Sequence, residues 1–383
     1  MRSGCWPPSS ARRWAIAAPC GSTSAAANEQ GVWEPITPDR GALSREWEPH
    51  ARGAILVAAQ FRAFTNIYEK RVADLRRIAT GGTGILTAGA LHPDLIQRMA
   101  DEASRAAQHM LTMSIRAIDY VPPVDLTFGE YLRALITADY DLVRDDVRDY
   151  RVAVVSAFRD WGIYPSDVRS LSVNSLLWNP PELTVFQHAN DFFARHRLGS
   201  TAVLSDRLAS FLQMREYRAR FHDWLQENLL EGTDRFLGLA LDSDAPGSIR
   251  RDKLGRSIFE VHSFRPCRRI GPDGQQRNDV IVEVVQRRKG FYDEDRQKKL
   301  DLQKDGSGYE DAMPDFYFRG GCTLIIDPET GDVRYCIRKS VCDDARLDRE
   351  RHYRRGDLVN QVGGAYLSDD HVANPFALLH GGH

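Results

Sequence analysis

Phe316-Tyr317-Phe318-Arg319-Gly320-Gly321-Cys322-Thr323-Leu324-Ile325-Ile326, then Asp327-Pro328-Glu329-Thr330-Gly331-Asp332, then Val333-Arg334-Tyr335-Cys336-Ile337, is the stretch whose reading decides the fold class. Two runs rich in β-branched and aromatic residues flank a cluster of turn formers, which is the signature of an antiparallel hairpin. The same residue types recur in Ile258 to Phe264 and in Val280 to Gln286, with Gly271-Pro272-Asp273-Gly274 between them. Four strands in a meander are therefore predicted, with residues 287–315 as a charged insertion between the hairpins.

Upstream, the apolar period changes from about 2 to about 3.6. Apolar residues from Ala54 to Leu75 predict one helix over 52–79, stopped by Thr80-Gly81-Gly82-Thr83-Gly84. Pro93 suits the first turn of a second helix, which runs to Ile118 and is closed by Pro122-Pro123. Thr127-Phe128-Gly129-Glu130 is a capping box that starts a third helix over 128–142. A fourth is expected over 148–161, ending at Gly162, and Leu183–His196 and Asp206–Leu230 are further candidates. Helices before strands, without β-α alternation, predict an α+β chain: a mainly helical N-terminal part followed by an antiparallel β-meander domain. The expected divisions are a disordered or truncated lead-in over 1–40, a helical subdomain over 41–180, a helical linker region over 181–255, the sheet over 256–345 and a tail over 346–383.

Composition narrows the function classes. The 383 residues carry 51 Lys and Arg against 53 Asp and Glu, so a net charge of -2 gives no general pull toward nucleic acid or anionic lipid. Neither a nucleic-acid nor a membrane partner is expected. The apolar run Trp14–Ala18 is too short for a secretory core. Cys5, Cys20, Cys267, Cys322, Cys336 and Cys342 form no C-x-x-C pair and read as reduced structural thiols, which suits a cytoplasmic protein. Whether Cys322 and Cys336 share a sheet face depends on a one-residue register, and no bond is assumed.

The search for a chemical centre finds no complete motif. H-E-x-x-H, G-x-S-x-G, G-x-x-x-x-G-K-[ST] and G-x-G-x-x-G are absent. His188, Asp191 and His196 would lie along one helix, but the two histidines are eight residues apart, two turns, and read as a solvated face. Arg265, Arg268, Arg269, Arg287, Arg288 and Lys289 flank the first hairpin. They offer either a basic patch for phosphate or a sheet edge guarded by charge, and the nearby Asp293, Glu294 and Asp295 favour the second. His380 and His383 read as part of a frayed end.

Three segments carry a family resemblance. His50-Ala51-Arg52-Gly53-Ala54-Ile55 resembles the H-x-x-S-G-I segment that opens a helix in the C-terminal subdomain of thermolysin-like zinc peptidases, the gluzincins. Phe128-x-x-Tyr131-Leu132-x-Ala134-Leu135-Ile136-x-Ala138-Asp139, with Ala157-Phe158-x-x-Trp161-Gly162-Ile163-Tyr164, is similar to the closing helix pair of that subdomain and of its fungalysin relatives. Phe318 to Leu324 looks like part of the β-rich extension that follows it in uncharacterised bacterial gluzincin-like proteins. The matched residues are mostly packing residues, so the resemblance speaks for fold more than for activity. It implies that residues 41–180 are a metallopeptidase-like helical subdomain, with the zinc ligands and the glutamate base of full-length relatives N-terminal to His50. No cofactor is then expected in this chain, and zinc only in those relatives. Only His50 could inherit a role, as the residue that hydrogen-bonds the oxyanion, with Glu46 and Glu48 as stand-ins for its orienting acid; otherwise it is a histidine at a helix start. On this reading the chain is a C-terminal fragment or degenerate member of the family, not proteolytic by itself, and its helical part exposes apolar surface. The alternative is a non-catalytic module that binds a protein or peptide.

Overall fold

The computed structural model describes residues 25–27, 33–46, 48–86, 89, 91–181, 192, 207–228, 234–270, 274 and 276–355. The chain is α+β, with its long helices before a four-stranded antiparallel sheet. Within the stretch expected to be a lead-in, β1 (Ala25–Ala27) pairs antiparallel with β2 (Trp33–Pro35). Helix α1 (Ala42–Arg45) precedes α2 (Pro49–Arg71). The latter starts earlier than the apolar pattern predicts, because Pro49 presets the first turn and the Glu48 carboxylate caps it by accepting from the Ala51 amide. The single helix expected over 52–79 is two: Val72 leaves the helical region at φ -101° and ψ 3°, and α3 (Ala73–Ala79) follows. Its β-branched side chain is fully buried.

Helix α4 (Pro93–Ala117) runs on into one 3-10 turn, Ile118–Tyr120. Helix α5 (Phe128–Leu142) opens with the expected capping box: Thr127 Oγ1 accepts from the Glu130 amide at 3.2 Å, and Glu130 Oε2 accepts from the Thr127 amide at 2.9 Å. Helix α6 (Tyr150–Asp160) stops at Gly162, whose φ of +70° favours glycine. A Cβ there would also meet the Arg40 carbonyl oxygen at 1.9 Å. A short α7 (Val173–Leu176) closes this part.

Two compact units emerge. The first takes residues up to 117 together with 135–177. Helix α2 packs chiefly on α6 and also on α4. It buries Ile55, Ala58, Ala59, Ala63 and Ile67, and α6 buries Ala153, Val154, Ala157 and Phe158. Alanines at helical spacing let the backbones approach, while Phe158 supplies bulk; truncating a fully buried phenylalanine of this kind costs about 3–5 kcal/mol.

The second unit takes residues 118–134 and everything from 178, so a segment expected in the helical part clusters with the sheet. Its elements are α8 (Arg207–Asn228), a 3-10 turn Asp234–Leu237, β3 (Glu260–Ile270), β4 (Gln276–Gly290), α9 (Glu294–Asp301), β5 (Phe316–Ile326), β6 (Val333–Lys339) and α10 (Asp344–Arg355). The sheet order is β3-β4-β5-β6, all antiparallel, as the meander predicts. The row Phe264↔Val282↔Leu324↔Cys336 faces the core. There Tyr217, Phe221 and Leu225 of α8 cover it, with Phe192 beside them. Helix α10 extends from the end of the expected sheet stretch into the one expected to be a tail, and its Leu347 is buried with Phe316 and Phe318. Gly321 has φ +148°, and a Cβ on it would meet the Val284 carbonyl oxygen at 2.0 Å, so the Gly320-Gly321 step serves close strand approach. Among the described residues no helix is long and apolar enough to cross a membrane.

Candidate functional site

Of the charged residues around the first hairpin, Arg268 on the edge strand and Arg287 are exposed, Arg265 is half-buried, and Arg269, Arg288 and Lys289 are buried. Strand β4 lies inside the sheet and runs on to Gly290, so Arg288 and Lys289 belong to an inner strand and are buried. Arg288 donates to Asp301 Oδ2 at 2.7 Å and Asp344 Oδ1 at 2.9 Å, and Gln297 holds Asp301 from the side. The Lys289 amine donates to the carbonyls of Tyr309 and Ala312 and lies 3.7 Å from the centre of the Tyr309 ring. Burial pulls this amine below the ordinary lysine range and pushes the Tyr309 phenol up to about 12.

A second buried group sits on the opposite sheet face from the apolar core. Arg269 pairs with Asp279 at 3.3 Å and with Asp119 at 3.5 Å, and donates to the Tyr120 hydroxyl. Arg334 reaches the other Asp279 oxygen at 2.6 Å. Arg265 bridges Asp119 at 2.7 Å and Glu283 at 3.1 Å. Burial opposes the charge of Arg269, but the Tyr120, Asp279 and Asp119 side chains outweigh it and hold its pKa above the ordinary arginine value. Both charge groups tie segments distant in sequence to the sheet, and their geometry is structural.

In the first unit, Asp139 accepts from Arg151 Nη1 at 2.8 Å, and Arg151 also donates to the carbonyls of Val143 and Arg144. His109 Nε2 lies 3.4 Å from the other Asp139 oxygen, with its ring edge-on to Tyr150. This clamp fastens the end of α5 to the start of α6, which gives the Ala138-Asp139 pair a packing role.

Among the described residues, one concave feature with convergent polar groups is a cleft of about 590 Å³ between α8 and the start of β3. Arg218, His222 and Asp223 form its helical wall, and Phe259, Glu260 and His262 its strand wall. The His222 ring stacks on Phe259 at 4.6 Å, with Nδ1 3.3 Å from Asp223. His262 Nε2 lies 3.0 Å from Glu260, which Arg287 also approaches at 3.4 Å. Arg218 Nη1 donates to the His262 carbonyl at 3.3 Å. His262 occupies the bulge between Val261 and Ser263 on β3, an edge strand of the sheet. Two imidazole–carboxylate pairs could move protons, but none of the residues lining the cleft is a serine, threonine, cysteine or lysine that would serve as nucleophile.

His50 lies in the first turn of α2, 42% exposed, with Nδ1 2.9 Å from the Glu48 carboxylate. Burial pushes that carboxyl up, but the amides of Ala51 and His50 and the His50 ring pull it below its ordinary value. Glu46 accepts from the Glu48 amide at 3.0 Å, so both acids organise the helix start. His188, Asp191, His196, His380 and His383 lie outside the described residues. Cys322 and Cys336 share the apolar face, two residues out of register, and both are free thiols. Burial pushes the Cys322 thiol well up, and raises Cys267 and Cys342 too, which makes them poor nucleophiles. The described residues contain no group of three or more His, Cys, Asp or Glu placed to hold a metal ion. Sequence reasoning missed the cleft; its one local signal is Glu260-x-His262, two polar residues on the same side of a strand.

Compared with protein families, curated proteins and solved structures, the chain matches none significantly.

Proposed function

We propose that this chain is a non-catalytic peptide-binding module whose site is the cleft between α8 and β3. The observation that carries this reading is the pairing of an edge strand with a polar cleft of about 590 Å³ beside it. An extended peptide laid along β3 gains main-chain hydrogen bonds from the edge, while alternate side chains enter the cleft. There Arg218 meets an acidic side chain, Glu260 and Asp223 meet a basic one, and the His222 ring, backed by the buried Phe259, offers a flat wall. A random heptapeptide library displayed against the immobilised full chain tests it. Selected peptides should bind with Kd on the order of 1–100 μM and lose about tenfold on Glu260→Arg and on Arg218→Glu. No enrichment, or binding that ignores both substitutions, contradicts the reading.

A second reading is that the module descends from, or is a C-terminal portion of, a gluzincin-like metallopeptidase that cannot hydrolyse peptides alone. The observations in its favour are the helix start at His50 and the buried Ala157-Phe158 pair before the Gly162 stop. Elemental analysis of the purified protein should find no tightly held zinc, and casein should survive incubation with it. One bound zinc per chain contradicts this second reading.

A further inference from the structure

Helix α2 has two apolar stripes, and only one is buried. Ile55, Ala58, Ala59, Ala63 and Ile67 face the core of the first unit. Val57, Phe61, Phe64 and Tyr68 recur at spacings of four, three and four, the seam of a helix that packs against another helix. Val57 is 58% exposed and Phe61 50%; Phe64 and Tyr68 are half-buried. The three aromatic rings form a continuous ladder, with centres 5.8 Å apart for Phe61 and Phe64 and 6.3 Å for Phe64 and Tyr68. Along one side of the stripe stand Arg62 and Glu69, seven residues apart and both exposed. Neither forms an ion pair among the described residues, whereas Lys70 beside them pairs with Asp149.

That charge pattern selects a second copy of this chain as the occupant. We propose that the stripe is a two-fold interface in which α2 of one copy lies antiparallel on α2 of another. An axis midway between Arg62 and Glu69 brings Arg62 of each copy opposite the partner's Glu69, so two ion pairs form at once. The same register sets Phe61 within about 3 Å, along the helix axis, of the level of the partner's Tyr68, and Phe64 within about 4.5 Å of the level of the partner's Phe64. A parallel arrangement would put like charges together. The stripe offers roughly 300 Å² per copy against about 800 Å² in a standard interface, so the dimer is weak and concentration-dependent.

Sedimentation velocity of the full chain over roughly 1 to 100 μM reads this directly. The wild type should shift from monomer to dimer across that range. Arg62→Glu should weaken association about tenfold, and the exchange of both charges, Arg62→Glu with Glu69→Arg, should restore it, with unchanged circular dichroism in each case. A monomer at every concentration, or a dimer that ignores Arg62→Glu or is not restored by the exchange, overturns the proposal.

Discussion

Arg269 in the sheet unit and Phe61 in the helical unit each sit where their side-chain type is least at home, one 4% exposed and the other 50%. The guanidinium is inside because Asp279, Asp119 and Tyr120 surround it; each alone would be costly to bury, and together they fix where residues 118–120 meet the sheet. The phenyl ring is outside because α2 has more apolar side chains than its core-facing stripe can use. The buried guanidinium is thus satisfied within its own unit, while the Phe61 ring is left at a surface. Self-association should be sought on the helical unit, and mutational fragility among the buried charges of the sheet.

This contrast can be broken by measurement. The largest effect should come from Asp279→Ala, which leaves Arg269 and Arg334 short of a buried counter-charge and should cost about 3–5 kcal/mol in urea unfolding. A cost below about 1 kcal/mol would mean the network is not needed. Glu102, held by Arg71 at 2.5 Å and Arg105 at 2.6 Å, is a less buried charge group of the helical unit. Burial pushes its carboxyl up, but the two arginines pull it lower still, so its folded pKa lies below the unfolded value of about 4.5. Its stability contribution is therefore complete above that value and lost as pH falls through the folded pKa. Glu102→Gln should cost about 1.5 kcal/mol at pH 7, and the gap from wild type should close in acid; a gap that stays constant down to pH 3 would contradict the pairing.

Smaller effects sharpen the comparison further. Thr127→Ala removes the cap of α5 and should cost about 1 kcal/mol, seen as a lower urea midpoint with unchanged slope. Phe61→Ser should change unfolding free energy by less than about 0.5 kcal/mol, despite removing a whole ring. A loss comparable to that of a buried phenylalanine would mean that Phe61 packs internally and the stripe is no surface at all.

How legible this was varied with the range of the interactions. The β5–β6 hairpin follows from strand residues around a turn, and the start of α5 from four consecutive residues, all of them local signals. The inner-strand position of Arg288 and Lys289 was hidden, since a charged triplet reads as surface until its partners are known. Those partners, Asp301, Asp344 and the Tyr309 carbonyl, lie 13, 56 and 20 residues away. The cleft was hidden for the same reason, because His222 and His262 belong to different elements joined only by packing of α8 on β3. The break at Val72 lacked any glycine or proline to announce it.

Hydrogen–deuterium exchange of the full chain, with and without a library-selected peptide, goes most directly to the claim that the cleft is where this protein works. Added protection should concentrate in residues 218–223 and 259–262, with the amides of β4 and α6 unchanged. Protection confined to other segments, or none at a saturating peptide concentration, would contradict it.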